Sequence, residues 1–164
     1  MIWGEYEGPL RSAVLALKHA GRDDAARPLG VRLAARTCLE RWSADLEVIV
    51  PVASHTLRRI RRGWPAASLL GLEVGRALRL PVRHLLRRRG LRRQVGRSRV
   101  QRLALPSSVF RASPRVAGRG VLLVDDVLTT GTTMARAAEA LHRAGAASVH
   151  GAVMAHAPDT RRLA

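Results

Sequence analysis

The chain has 164 residues, 47% of them hydrophobic, and we expect a single domain over residues 1–164 with a core of its own. Its 29 lysine and arginine residues against 12 acidic ones give a net charge of +17, which favours polyanionic partners such as pyrophosphate, nucleotides or nucleic acid. A coding bias towards arginine would give the same composition. The one cysteine excludes an intrachain disulfide and a cysteine-based zinc site, and 3% aromatic residues exclude a stacking platform for single strands.

No stretch of the sequence is typical of a membrane segment or a signal peptide. Its apolar runs stay well below the about 18 residues that a membrane span requires. We therefore expect a cytoplasmic protein that has no membrane partner.

The first 45 residues are predicted to cover the sheet with helices. Apolar residues at helical spacing indicate one helix over residues 9–20 and a second that ends near residue 42. The first strand is predicted at residues 46–50, because four of these five residues are apolar and Pro51 follows.

An arginine-rich loop follows this strand and precedes a helix predicted over residues 66–78. In a parallel sheet such a loop lies at the carboxyl edge, where open α/β sheets bind ligands. Arginine there suits pyrophosphate, because a guanidinium group binds two phosphate oxygens at once. A solvated basic face is the alternative. The residues predicted to bind pyrophosphate are Val52, Ala53, Ser54, Arg61 and Arg62.

A second basic segment covers residues 87–107, after a strand predicted at residues 80–86. Crowded like charges favour a mobile, exposed segment when no anion is bound. Three interpretations are open: a flexible loop that closes over a site, a nucleic-acid-binding arm, and a disordered surface loop. The candidate ligand-binding residues of the segment are Arg93, Gln94, Arg97, Arg99 and Arg102.

The most informative motif covers residues 121–133. Four apolar residues predict a buried parallel strand, and the carboxylates of Asp125 and Asp126 follow at its end. Threonines around Gly131 then precede a helix predicted over residues 134–144. Free N–H groups at a helix N-terminus suit a phosphate dianion, and adjacent carboxylates suit ribose hydroxyls or a metal that bridges to them. The motif therefore predicts a sugar phosphate ligand.

Three other interpretations of this motif compete. An acidic strand end also occurs in P-loop ATPases, but Lys18, the only lysine, does not stand in the required G-x-x-x-x-G-K-[ST] pattern. A phosphate-accepting aspartate pocket would not require the whole array. Simple capping of the helix by Thr129 or Thr130 would not require it either.

Residues 121–133 resemble, along their full length, the motif with which type I phosphoribosyltransferases bind phosphoribosyl pyrophosphate (PRPP). The resemblance implies an α/β fold with a mainly parallel sheet flanked by helices. It assigns the ribose hydroxyls, and any catalytic role, to Asp125 and Asp126. The remaining contacts, chiefly to the 5′-phosphate, are assigned to Val127, Leu128, Thr129, Thr130, Gly131, Thr132 and Thr133.

A narrower resemblance to the ComF family (competence protein F-like) covers nearly the whole chain. It rests on Leu17-Lys18-His-Ala-Gly21, Pro51-Val52 and Arg62-Gly63-Trp64. Members of that family usually carry an N-terminal CxxC zinc module, which the single cysteine of this sequence cannot build. The family's Asn-Gln pair is Pro65-Ala66 here, which removes polar side chains near the site and bears on catalysis rather than on the fold.

The resemblances imply transfer of ribose 5-phosphate from PRPP to a nitrogen acceptor with release of pyrophosphate. Mg²⁺ is the implied cofactor, bridging ligand oxygens without a direct protein ligand and reached by Asp125 or Asp126 only through water. The alternative is a non-catalytic protein that binds PRPP, a nucleotide or single-stranded DNA in DNA uptake, with a helicase as partner. A homodimer is compatible with both. A last strand is predicted at residues 148–154, followed by His156, whose simplest interpretation is an idle side chain in solvent.

Overall fold

The computed structural model describes residues 1–18, 23–53, 64–88 and 107–158. The strands in these ranges are β1 (Ile2–Glu5), β2 (Val48–Pro51), β3 (Leu86–Arg88), β4 (Phe110–Ala112), β5 (Gly120–Leu128) and β6 (Ser148–His156). Four of them form an all-parallel sheet in the order β1-β6-β5-β2, and β3 and β4 form a separate antiparallel pair. A parallel bridge between Ile49 and Val82 extends the main sheet beyond β2.

The helices of the described ranges lie on both faces of the main sheet. They are α1 (Gly8–Ala16), α2 (Ala26–Cys38), α3 (Ala66–Leu78) and α4 (Thr132–Arg143). The first three share a core with Leu122 and Val124 of β5, whereas α4 shares a second core with Val121 and Leu123. Since side chains alternate along a strand, the two cores lie on opposite faces of the sheet. This arrangement confirms the predicted class, a mainly parallel sheet flanked by helices.

β5 is the central strand that positions the site. Its residues 121–124 are fully buried, as the apolar run predicts, because β2 and β6 flank it in the sheet and helices cover both faces. Register places Val124 beside Pro51 of β2 and beside Ala152 of β6. The carboxyl ends of these strands therefore meet at one edge of the sheet.

Helices α2 and α3 approach each other closely at one glycine. A Cβ atom built on Gly30 of α2 would lie 2.3 Å from the Cβ atom of Glu73 in α3. A side chain at residue 30 would therefore push the two helices apart, and glycine is what allows their packing.

Several of the strand predictions differ from the structure. β1 was not predicted, so the segment before residue 46 contains a strand as well as helices. β2 begins at Val48, two residues after the predicted start, and Pro51 is its last residue, paired with Val124. Of the strand predicted at residues 80–86, only Val82 joins the main sheet, while Leu86 begins β3.

The helix predictions fare better, because they depend on local spacing. α3 has the predicted bounds, residues 66–78. α1 ends at Ala16, four residues before the predicted end, α2 ends at Cys38, and a 3₁₀ turn over Arg41–Asp45 follows.

The β3–β4 pair lies against α4 on the second face of the sheet. Its register joins Leu86 to Ala112 and Arg88 to Phe110. The Ser113 N–H also donates to the Leu85 carbonyl at 2.8 Å, which closes the pair at its outer end. None of the helices in the described ranges has the length and hydropathy needed to cross a lipid bilayer.

Candidate functional site

The site lies at the carboxyl edge of the main sheet, where β5 ends in two acids. β5 extends through Asp125 and Asp126 to Leu128, because Asp125 pairs with Val153 and Leu128 with His156 of β6. The prediction that the strand ends before the acids is therefore wrong. Both carboxylates are fixed on a hydrogen-bonded strand rather than on a loop, which makes their positions more rigid than expected.

The two acids belong to opposite faces of β5. By alternation, Asp126 follows Leu122 and Val124 towards the face covered by α1, α2 and α3, and Asp125 lies towards the face of α4. The Asp126 N–H donates to Oδ1 of Asp125 at 2.9 Å. Both side chains are partly buried, so the pair combines a fixed geometry with limited hydration.

The pair carries one strongly perturbed carboxyl group. Burial raises the pKa of Asp125 well above its ordinary value, and the charge and side-chain hydrogen bond of Asp126 raise it further. The N–H of Asp126 and the ammonium of Lys18 oppose this shift. The raised pKa favours the protonated form of the Asp125 carboxyl group.

Lys18, just after α1, contacts the second acid. Its Nζ atom lies 3.0 Å from Oδ2 of Asp126, and the side chains are 45% and 16% exposed. Sequence reasoning placed no functional role on Lys18. Two signals were available: Lys18 is the only lysine of an arginine-rich chain, and it lies in the stretch Leu17–Gly21 that carries part of the family resemblance.

Arg88, at the end of β3, faces the first acid from the other side of the sheet. Burial lowers the pKa of its guanidinium, and the charge of Asp125 opposes that shift. The guanidinium carbon lies 5.6 Å from the centre of the Phe110 ring, and the buried Nε atom has no hydrogen-bond partner among the described residues. The acid pair therefore has a cation towards each face of the sheet.

The loop after β5 has the geometry of an anion site. Gly131 is the N-cap residue of α4 and has φ = 75°, a conformation that favours glycine, and no atom lies within 4 Å of the position a Cβ would take. The hydroxyls of Thr130 and Thr132 lie 3.0 Å apart, and Thr132 N lies 3.5 Å from Thr130 Oγ1, too far for a strong cap. An open N-terminus of a 12-residue helix thus lies beside the acids.

The other predicted site residues fall partly inside the described ranges. Val52 and Ala53 follow β2 at the same edge, but the Val52 side chain is buried and its N–H already donates to the Val124 carbonyl at 2.9 Å. Val52 therefore has no free N–H group for a ligand, although it lies at the edge of the site. The remaining predicted residues lie outside the described residues: Ser54, Arg61, Arg62, Arg93, Gln94, Arg97, Arg99 and Arg102.

His156 lies at the same edge but contacts an acid of the neighbouring strand. Its Nδ1 atom is 3.4 Å from Oε2 of Glu5, and its carbonyl accepts from the Tyr6 N–H at 2.7 Å. The side chain thus joins the ends of β6 and β1.

The acid pair does not resemble a metal site built from protein ligands. Over the part of the chain that the structure describes, no three His, Cys, Asp or Glu side chains converge on one position. The Lys18 ammonium contacts Oδ2 of Asp126, so a metal ion bound directly to the acid pair would be repelled by its positive charge. The donor set fits a metal ion carried on the oxygens of a ligand.

A family model described as phosphoribosyl transferase domain matches residues 67–163, more than half of the chain. Competence protein F of Haemophilus influenzae is 31% identical over an alignment of 156 residues that covers 88% of this chain and 67% of that protein. DNA utilization protein YhgH of Escherichia coli is 32% identical over an alignment of 150 residues that covers 88% of this chain and 66% of that protein. The chain thus spans about two thirds of the length of these relatives.

A solved structure shows the same fold. It is a glutamine PRPP amidotransferase from B. subtilis, in complex with ADP and GMP, and it superposes with a TM-score of 0.57 at 23% sequence identity. The match covers 79% of this chain and 26% of that one.

Proposed function

The chain belongs to the phosphoribosyl transferase domain family, in the branch that includes competence protein F, and from this we propose that it binds PRPP with Mg²⁺ and transfers ribose 5-phosphate to a nitrogen acceptor. Pyrophosphate is the second product. We place this activity in the cytoplasm.

One observation supports the proposal above all others: the acid pair lies on β5 directly before the open N-terminus of α4. A ribose between them can donate its 2′ and 3′ hydroxyls to Asp125 and Asp126. Its 5′-phosphate then accepts from N–H groups at residues 129–133, where the helix dipole favours an anion. The spacing of these groups along one chain segment fits a sugar phosphate.

The reaction breaks the bond from ribose C1 to the pyrophosphate oxygen and forms a bond from C1 to the acceptor nitrogen. The nitrogen supplies the electron pair and later loses a proton, while the bond electrons leave with pyrophosphate. When bound, Mg²⁺ neutralises charge on the pyrophosphate oxygens. The protein holds the ribose through Asp125 and Asp126, and it binds the 5′-phosphate and the pyrophosphate of the ligand at separate positions.

The pyrophosphate end of this proposal depends on Val52, Ala53, Ser54, Arg61 and Arg62, together with the arginines between residues 87 and 107. Arg88 supports it, because its guanidinium lies near Asp125 and guanidinium groups bind phosphate oxygens through charge-assisted hydrogen bonds. Guanidinium groups at the leaving group would stabilise the charge that develops there.

Calorimetric titration with PRPP tests the proposal. We expect Mg²⁺-dependent binding by the intact chain and no binding by the double variant Asp125→Asn, Asp126→Asn, whose amide side chains keep shape but lose two charges. Control titrations use the Arg76→Met variant, in which an exposed ion pair with Glu73 on α3 is removed far from the site. Absence of binding by the intact chain at millimolar PRPP would refute the proposal.

A second candidate is a non-catalytic role in DNA uptake, with single-stranded DNA and a DNA-uptake helicase as partners. The net charge of +17 and the names of the two relatives favour it. Binding of a fluorescent oligonucleotide that weakens steeply with added salt, and is unchanged in the double Asn variant, would support this function. DNA binding that is absent, or that does not weaken with added salt, would refute this second function.

A further inference from the structure

The ion pair between Lys18 and Asp126 places a cation at the ribose end of the site. Lys18 follows α1, whose residue Val14 packs into the core that also holds Val124 of β5. Its Nζ atom lies 3.0 Å from Oδ2 of Asp126. The contact joins a helix near one end of the chain to the central strand of the sheet.

The ion pair lies in a partly buried environment, where it stabilises the Asp126 carboxylate more than it would in water. Asp126 is 16% exposed, so its carboxylate has lost most of its water, and it lies beside a second carboxylate. Repulsion between the two acids is strongest where water is scarce. A cation on one of them offsets that repulsion and restricts the rotation of its side chain.

A lysine at this position leaves the site usable. Its compact ammonium is a point charge that contacts one oxygen, whereas a planar guanidinium tends to bind both oxygens of a carboxylate. Oδ1 of Asp126 and the remaining lone pairs then stay available as acceptors for hydroxyl groups.

We propose that Lys18 is a positioning residue of the sugar site, which holds the Asp126 carboxylate oriented so that it accepts a hydrogen bond from a ribose hydroxyl. This role rests on the proposed function, since it concerns the same ligand. It assigns Lys18 no contact with the reacting atoms. Its effect reaches ligands through Asp126 alone.

Two ligands separate this role from a general loss of positive charge. Ribose 5-phosphate requires the acid pair, whereas inorganic pyrophosphate has no hydroxyls to offer it. We expect Lys18→Met to weaken ribose 5-phosphate binding about tenfold, in the range of coupling between contacting residues, and to change pyrophosphate binding less than twofold. Lys18→Arg should restore part of the lost affinity. Arg76→Met, which removes one charge elsewhere, should change neither ligand.

A double-mutant cycle shows whether Lys18 acts through Asp126. In the Asp126→Asn background, Lys18→Met should have no further effect on ribose 5-phosphate binding. Melting temperatures of all variants are measured alongside, and Lys18→Arg reports on the role if Lys18→Met unfolds.

Four results would overturn the proposal: unchanged affinity in Lys18→Met, equal losses for both ligands, additive losses in the cycle, or tighter binding without the lysine. The last would mean that the ammonium blocks the site. If the intact chain binds neither PRPP nor ribose 5-phosphate, the proposed function fails and this role with it. If the intact chain binds both and Lys18→Met binds them equally well, only the role of Lys18 fails.

Discussion

The backbone N–H of Asp126 donates to Oδ1 of Asp125 at 2.9 Å, so each acid of the site is held by a different neighbour. Asp125 is oriented by the chain itself, and Asp126 by the ammonium of Lys18. The pair is therefore set before any ligand arrives. Such preorganisation carries an electrostatic cost, because two partly buried carboxylates are adjacent.

This cost predicts that Asp125→Asn stabilises the protein. Burial and the charge of Asp126 raise the pKa of Asp125, so the folded state disfavours the ionised carboxyl at neutral pH. An asparagine keeps the acceptor for the Asp126 N–H and removes the charge. We expect a gain of about 1 kcal/mol in unfolding free energy, or about 2–4 °C in melting temperature, by calorimetry at pH 7.

Asp126→Asn is the matched control, because it removes the partner of Lys18 and should not stabilise. The direction in which stability changes with pH also follows from the raised pKa of Asp125. Since the folded-state pKa of Asp125 is raised, the native chain loses stability as pH rises from the ordinary carboxyl range through that pKa. The advantage of Asp125→Asn should therefore disappear in acid, and an advantage that grows in acid would contradict the assignment.

The same shift predicts proton release when a ribose binds. A carboxylate accepts stronger hydrogen bonds from hydroxyl groups than a protonated carboxyl group does, so ribose binding favours release of the proton held by Asp125. Affinity for ribose 5-phosphate should rise with pH through the raised pKa of Asp125. Titrations in two buffers of different ionisation enthalpy measure the protons released, and Asp125→Asn should release fewer. Equal release by both proteins would show that the ligand phosphate alone accounts for it.

Gly131 and Gly118 provide a matched pair for the phosphate loop. Both have positive φ, 75° and 72°, and neither has an atom within 4 Å of an added Cβ. Alanine at either position should cost about 1 kcal/mol of stability from backbone strain alone. Only Gly131→Ala should also weaken binding of ribose 5-phosphate, by about tenfold or more, because Gly131 is the N-cap of α4. Equal affinities in titrations of the two variants would argue against phosphate binding at this loop.

Gly30 is predicted to be intolerant of alanine although it lies in a helix. Alanine would gain up to about 1 kcal/mol in helix propensity. Its Cβ, however, would lie 2.3 Å from Cβ of Glu73, and separating α2 from α3 should cost about 1–3 kcal/mol. We expect a net loss by thermal unfolding. Arg36→Ala, on an exposed position of α2, is the control and should stay within about 0.5 kcal/mol.

The sequence was sufficient where local pattern decides structure. The spacing of apolar residues located α3, and the run at residues 121–124 located the core of β5. The sequence was not sufficient where hydrogen bonding between strands decides where a strand begins and ends. β5 continues through polar residues because β6 pairs with them, and β1 is a four-residue edge strand containing Gly4 and Glu5.

The site divides in the same way. The contiguous motif of acids, threonines and Gly131 could be recognised from sequence, because one chain segment carries it. The proximity of Lys18 and Arg88 to the acids could not be recognised from the sequence. Each reaches the acids from a distant segment, through the packing of α1 or of the β3–β4 pair. Long-range charge contacts of this kind leave no local periodicity.

The β3–β4 pairing has a further consequence for how this protein can diversify. Arg88 pairs with Phe110, so β3 ends next to the point where β4 begins. Lengthening a connection between fixed ends costs little free energy, only a fraction of a kcal/mol for several residues. Segments grafted from relatives between β3 and β4 are therefore expected to vary the chemistry offered to the site while the sheet and the acid pair stay unchanged.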